Sequence, residues 1–264
     1  MNITNEYKSI IYKLKTNQMS TTATITKMKE LRLQGMRKSF ETSLETNAME
    51  NMTQDEFISY LVQSEWEYRQ NKRLQQSLYN AKFRYNASME ELSYNQERNI
   101  NKNMIMRLAD SSYIEKKENI IITGSTGVGK SFFASALGHQ ACIKGFKVIY
   151  YNTAKLFTKL KMAKGDGTYM KELNRIEKQD LLILDDFGLQ PMDQQIRLSL
   201  LEIMEDRHGK RSTIISSQIP VNKWHDLLEE KTIADAILDR IVHTSHRIEL
   251  KGESLRKNKI TKIV

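Results

Sequence analysis

Apolar residues follow two rhythms along this chain, and the change falls near Tyr113. Before it they recur at helical spacing among charged and amide residues. Phe57, Tyr60, Leu61 and Tyr68 share one helical face in a strip rich in Glu, Arg and Gln. Thr53-Gln-Asp-Glu56 predicts the start of that helix as a capping box, the threonine hydroxyl accepting from the amide at the third helical position while the glutamate reaches back. Met28, Leu31, Met36 and Phe40 predict an earlier helix, broken at Gly35. Residues 1–123 hold only that one of the chain's 11 glycines and neither of its 2 prolines. Continuous helix looks like this, because Gly and Pro are its strongest interruptions. The expected organisation is a tail over 1–23, a helical domain over 24–85, a helical connector over 86–110 and a second domain over 111–264.

After Tyr113, short β-branched runs stand at 120–123, 148–151, 181–184, 213–216 and 248–250. Helix-length segments at 130–143, 153–163, 169–178 and 194–207 separate them. Strands alternating with helices imply crossover units, so the second domain reads as α/β with a parallel sheet of five strands flanked by helices.

Charge and composition narrow the class. Lys+Arg 41 against Asp+Glu 32 leaves a formal +9, which favours an anionic partner such as nucleic acid. The single cysteine, Cys142, excludes a disulfide scaffold and a cysteine zinc finger. No apolar run reaches the ~18–20 residues of a membrane span, and Met1-Asn-Ile-Thr-Asn-Glu-Tyr-Lys lacks the apolar core of a signal peptide. The expectation is a cytoplasmic protein with no membrane partner.

Two motifs carry chemistry. Gly124-Ser-Thr-Gly-Val-Gly129-Lys130-Ser131 follows the 120–123 run and precedes a helix, the strand–loop–helix context of a phosphate-binding loop. Its glycines let backbone amides wrap phosphates, and the helix offers its positive end to them. Lys130 can reach the β- and γ-phosphates of a nucleotide, and the Ser131 hydroxyl can bind Mg²⁺. Contacts to ATP are therefore expected from Gly124, Ser125, Thr126, Gly127, Val128, Gly129, Lys130, Ser131 and the following Phe132. The second motif is Leu181-Leu-Ile-Leu-Asp185-Asp186, an apolar strand ending in two carboxylates. Asp185 is expected beside Ser131 as a metal ligand, and Asp186 is placed to orient and polarise the attacking water. A chance glycine turn and a strand closing on an aspartate remain the plain alternatives; the spacing of the two motifs favours the nucleotide site.

These residues resemble the IstB/DnaC branch of the AAA+ ATPases, and within it the IstB-type transposition helpers of bacterial insertion sequences. The resemblance runs from about Lys27 to Lys257. It rests on Glu30-Leu-Arg-Leu-Gln-Gly-Met36, Phe57-Ile-Ser-Tyr-Leu, Glu65-Trp-Glu-Tyr-Arg69, Ala81-Lys-Phe-Arg84 and Lys117-Glu-Asn-Ile-Ile-Ile-Thr-Gly124. Its most specific stretches are Ser212-Thr-Ile-Ile-Ser-Ser-Gln-Ile-Pro-Val-Asn-Lys-Trp224, Ile233-Ala-Asp-Ala-Ile-Leu-Asp-Arg240 and Lys251-Gly-Glu-Ser-Leu-Arg256. It implies a small all-α N-terminal domain, an AAA+ P-loop domain with the 213–216 strand between the two motif strands, and a C-terminal lid much reduced.

The resemblance also implies roles. Ser217 or Gln218 would be the sensor that meets the γ-phosphate or the water. Arg240 matches an arginine finger for the neighbouring subunit's nucleotide; a surface ion pair with Asp235 or Asp239 is the other reading of that arginine. Arg256 matches a second sensor. Asp186 stands where most AAA+ proteins have Glu, so it must sit closer to the water. Implied partners are duplex DNA, held largely without regard to sequence, a transposase encoded by the same element, and further copies of the chain with nucleotide between them. Implied chemistry is Mg²⁺-dependent hydrolysis of ATP. A replicative helicase loader, or an ATP-gated DNA scaffold with little turnover, are the alternatives.

Between Lys144 and Lys164 there are lysines at 144, 147, 155, 159, 161 and 164 and no acid. The resemblance places a DNA-contacting helical insertion there, so Lys155, Lys159, Lys161 and Lys164 are the expected DNA contacts; an ordinary solvated face is the alternative. His139 with Cys142, and His243 with His246, lack the partners of a zinc or acid–base site. No Ser-His-Asp arrangement and no nuclease acid triad is evident, so DNA cleavage is not expected.

Overall fold

In the computed structural model, residues 20–92, 99 and 101–255 are described, residues 49 and 50 as backbone alone. The chain divides into two units between Gln75 and Gln76.

In the first unit, residues 20–30 form α1, followed by α2 (Gln34–Thr46) and α3 (Gln54–Ala81). The capping box forms: Thr53 N donates to Glu56 Oε2 at 2.8 Å and Glu56 N to Thr53 Oγ1 at 3.3 Å. The helix break differs from the expectation. It falls at 31–33, where Arg32 takes a φ of 59°, and Gly35 lies inside the first turn of α2. Gly35 serves packing rather than interruption, since a Cβ there would stand 2.5 Å from Ser64 O and 2.6 Å from Tyr68 Cβ. That close approach brings the Glu65 carboxylate onto the start of α2, where Oε2 accepts from Gly35 N at 2.7 Å and Met36 N at 3.1 Å. One acid of α3 thus satisfies two of the orphan amides that open α2, and Arg69 Nε holds its other oxygen at 2.7 Å. Glu65→Ala is expected to leave both amides unpaired in a site only 7% exposed, at a cost of about 1–3 kcal/mol of local stability. Hydrogen exchange at Gly35 and Met36 reads it; unaltered exchange would mean that water replaces the carboxylate.

The second unit begins with the end of α3. Lys82, at a φ of 57°, stops that helix. Of the helical connector expected over 86–110, the described residues 86–92 run irregularly and α4 spans Lys102–Ala109. The reason is packing. Ala87, Met89 and Leu92 are buried at intervals that fit no helical face, which lays the segment flat on the unit. Arg84, in the stretch assigned from sequence to the helical domain, belongs to this unit.

After α5 (Ser112–Glu115) come β1 (Asn119–Gly124), α6 (Lys130–Ile143), β2 (Val148–Asn152), α7 (Thr153–Gly165), α8 (Tyr169–Glu177), β3 (Leu181–Phe187) and α9 (Gln194–Arg207). β4 (Ser212–Ser217), α10 (Trp224–Leu228), α11 (Lys231–Val242) and β5 (Ser245–Leu250) complete the order. The five strands pair in parallel as β2-β3-β4-β1-β5, so β4 does separate the two motif strands. Strands covered on both faces read as unbroken apolar runs, and Ile120–Ile122 and Leu181–Leu184 have no exposed surface. All five carboxyl ends share one edge, where ligands bind in such sheets. Behind that edge, Trp224 is fully buried against the Phe187 ring at 4.8 Å, with its indole N–H on Ile219 O at 2.9 Å. Cys142 is buried. Beyond β5 the described chain continues without helix to Leu255. Among the described residues, no helix is long and apolar enough to cross a membrane.

Candidate nucleotide site

β1 ends at Gly124, whose φ of 146° and closeness to Leu250 O (2.3 Å from an added Cβ) admit no side chain. The loop turns through Gly127 and Gly129, both at positive φ, and delivers Lys130 and Ser131 to the first turn of α6. Lys130 Nζ donates to Gly124 O and Ser125 O, each at 2.8 Å, so the ammonium is curled over the loop's own carbonyls. The cavity in front of the loop is about 420 Å³, within the range of small-ligand sites. Tyr85, Leu92, Phe132, Leu250 and Leu255 give it an apolar side; Arg84, Thr126, Lys130, Ser131, Asp186 and Gln218 give it a polar one.

Asp185 has no exposed surface and accepts from three hydroxyls. Ser131 Oγ donates to its Oδ1 at 2.9 Å, Ser216 Oγ donates to the same oxygen, and the Tyr150 hydroxyl donates to Oδ2. Burial, and next the Asp185 charge, push the Tyr150 phenol's pKa up, which keeps it a donor. Neighbours on a strand point to opposite faces, yet the Asp186 carboxylate turns to the same side as that of Asp185, where both meet Arg84. The pairing of β3 with β4 shifts register between Leu184 and Phe187, and Asp186 adopts a φ of 60°, so an irregular step turns the second carboxylate round. Asn152 Nδ2 donates to Asp186 Oδ2 at 3.0 Å. Arg84 Nη1 reaches both acids, at 2.8 Å from Asp186 Oδ2 and 3.3 Å from Asp185 Oδ2.

The chain matches the profile of IstB-like ATP binding proteins over residues 26–262. It belongs to that family. An insertion sequence ATP-binding protein of Sinorhizobium fredii is 43% identical over 235 residues, covering 89% of this chain and 96% of the relative. The ATP-binding protein of insertion sequence IS21 from Pseudomonas aeruginosa is 28% identical, over 87% of this chain and 86% of the relative. Among solved structures, the DnaC helicase loader superposes with a TM-score of 0.51 at 20% identity, covering 63% of this chain and 98% of that one. DnaI superposes with a TM-score of 0.52 at 22% identity, covering 67% and 94%. The AAA+ P-loop fold implied by the sequence is therefore present, and ATP is the ligand of an IstB-like protein's loop.

The other sequence-expected residues fall into three groups. Of the sensor pair, Gln218 faces the cavity, its Oε1 accepting from the Thr126 hydroxyl at 2.6 Å. Ser217 is buried, donating to Phe187 O at 2.8 Å and accepting from Ile219 N at 3.0 Å. Arg240 lies on α11 away from its own loop; it pairs with Glu205 at 2.5 Å rather than with Asp235 or Asp239, and donates to Ala236 O at 2.7 Å. Asn119 Nδ2 donates to Arg240 O and Ile241 O at 3.2 and 3.3 Å, pinning that helix end to the sheet. Arg256 lies outside the described residues. Leu255 before it donates its amide to Gly127 O at 3.0 Å.

The lysine run is less bare in space than in sequence. Glu172 of α8 pairs with Lys159, Asp193 at the cap of α9 lies 3.6 Å from Lys161, and Lys164 sits 4.6 Å over the Tyr169 ring. Lys155 is exposed. Sequence reasoning missed Arg84, Tyr150, Asn152 and Ser216. Three of them had a readable signal: polar residues closing apolar strands at the carboxyl edge of a parallel sheet. Asn152 pairs in register with Asp185 and Tyr150 with Ile183.

Proposed function

We propose that this chain is an ATP-hydrolysing helper of transposition that assembles on duplex DNA and recruits or activates the transposase of its own element. The observation that carries the reading is the meeting of Ser131, Asp185 and Asp186 at the loop, in a chain whose relatives are named for insertion sequences. Helicase loading has only a fold likeness at 20–22% identity behind it.

In this mechanism the loop amides and Lys130 bind the phosphate chain, Lys130 exchanging two carbonyls for phosphate oxygens. The Ser131 hydroxyl and Asp185 carboxylate are hard oxygen donors 2.9 Å apart, the kind of set that suits Mg²⁺, which takes one or two carboxylates together with substrate phosphates. They would hold the ion, which would neutralise charge on the β- and γ-phosphates. Asp186 orients the attacking water and accepts its proton. Gln218 is the better placed of the two sensor candidates. Arg240 projects away from its own loop, and so serves a neighbour's nucleotide.

Binding to DNA is expected to weaken steeply with salt, by a log–log slope of roughly −0.9 for each phosphate neutralised. Replacing Lys155, Lys159 and Lys161 by Ala is expected to flatten the slope by roughly one for each lysine that meets a phosphate. Fluorescence anisotropy on duplexes of unrelated sequence, between low and moderate salt, measures both. An unchanged slope would put the DNA path elsewhere on the protein.

A further inference from the structure

Arg84 stands 101 residues before Asp185 in the chain, yet its guanidinium bridges both acids. Asp185 is fully buried among hydroxyl donors, and the Arg84 guanidinium lies 3.3 Å from its Oδ2. Taking one partner from a buried charge is strongly unfavourable, whereas a second cation beside the first meets repulsion. Arg84 itself is 39% exposed, so it can leave where Asp185 cannot. Its neighbours are committed to the same site. The Phe83 ring lies edge-on to Tyr150 at 6.4 Å, and the Tyr85 ring lies 6.1 Å from Phe132. Three consecutive residues thus meet the residue that holds Asp185, the acids themselves and the first turn of α6 after the loop.

Resting on the metal-dependent reading above, we propose that Arg84 and the divalent ion are alternative counter-cations of the Asp185–Asp186 pair. Loading the ion expels Arg84, and the expulsion loosens the 82–92 segment. Binding at the loop is thereby transmitted to the stretch of chain that follows α3. The device is a built-in competitor: it sets how much free divalent ion the site needs, and it gives occupancy a mechanical output.

The test uses the full chain, Mn²⁺ as the probe read by electron paramagnetic resonance, and a non-hydrolysable ATP analogue. Arg84→Gln is expected to bind Mn²⁺ about tenfold more tightly than the wild type, a coupling of the usual size between competing sites. Arg84→Lys, which keeps the charge, is expected to stay close to the wild type. In the wild-type protein, adding Mn²⁺ with the analogue is expected to speed hydrogen exchange at Ser88 and Leu92, whose amides bond to Glu91 Oε2 and Met89 O within the segment. Equal Mn²⁺ affinity in all three proteins, or slower or unchanged exchange in 82–92, overturns the exchange of cations. Failure of the wild type to bind the analogue at all would instead overturn the nucleotide reading, so the two failures are separable.

Discussion

Asn in place of Asp186 is expected to leave ATP bound and to slow its hydrolysis by roughly 10²–10⁴-fold, the usual contribution of a positioned proton acceptor. The substitution is conservative in shape and in backbone. Asp186 sits at a φ of 60°, and Asn is among the few residues that adopt this left-handed conformation readily. Asn can also keep an amide contact to Asn152, so what is lost is the charge. Lys130→Ala is the complementary case: it removes the ammonium proposed above to bind the phosphates and is expected to weaken ATP binding itself. Equilibrium binding of an ATP analogue and the rate of phosphate release, measured on both variants, separate the roles. Hydrolysis at the normal rate by Asp186→Asn would show that the water is oriented by another group.

The second large effect concerns Arg240. A guanidinium supplied to a transferring phosphoryl group is worth ~10³–10⁵ in rate, so Arg240→Ala is expected to bind ATP and hydrolyse it very slowly. Its place in the fold makes a sharper test possible. Asn119 ties the end of α11 to the sheet, and the guanidinium rests on Glu205, which is 59% exposed, outside the cavity of its own loop. If subunits meet head to tail, mixing inactive Arg240→Ala with inactive Lys130→Ala puts an intact loop against an intact arginine at about a quarter of interfaces. Activity is expected to return to that extent on DNA, with co-sedimentation confirming mixed assemblies. Co-assembly with no recovery at any ratio, together with full-rate hydrolysis by a dilute Arg240-intact monomer, would show that the site is complete within one chain.

What could be read from the sequence follows from how local each feature is. The 120–123 and 181–184 runs announce buried parallel strands because burial on both faces removes polar alternation, and the loop glycines announce a phosphate cradle because no other residue permits that turn. Arg84 could not be read in the same way: a partner 101 residues distant obeys no spacing rule, and a lone arginine after a helix looks like any solvated one. The lysine run misleads for a related reason. It holds no acid in sequence, while Glu172 and Asp193 reach Lys159 and Lys161 from other elements. Gly35 was legible as a special position but not in kind, since a glycine that breaks a helix and one that lets two helices touch are the same letter.

The two tryptophans of the chain divide between its two units, Trp66 at 57% exposure and Trp224 at none. Because Trp224 packs on Phe187, the residue directly after the acid pair, its emission is an intrinsic optical probe of the strand end proposed above for ATP hydrolysis. Trp66, open to solvent, is expected to emit further to the red and to be quenched by iodide, so the two signals can be told apart without a dye. One cuvette titration therefore follows both halves of the molecule: quencher removes the light from the helical unit, and the blue component that survives reports events beside Asp185 and Asp186.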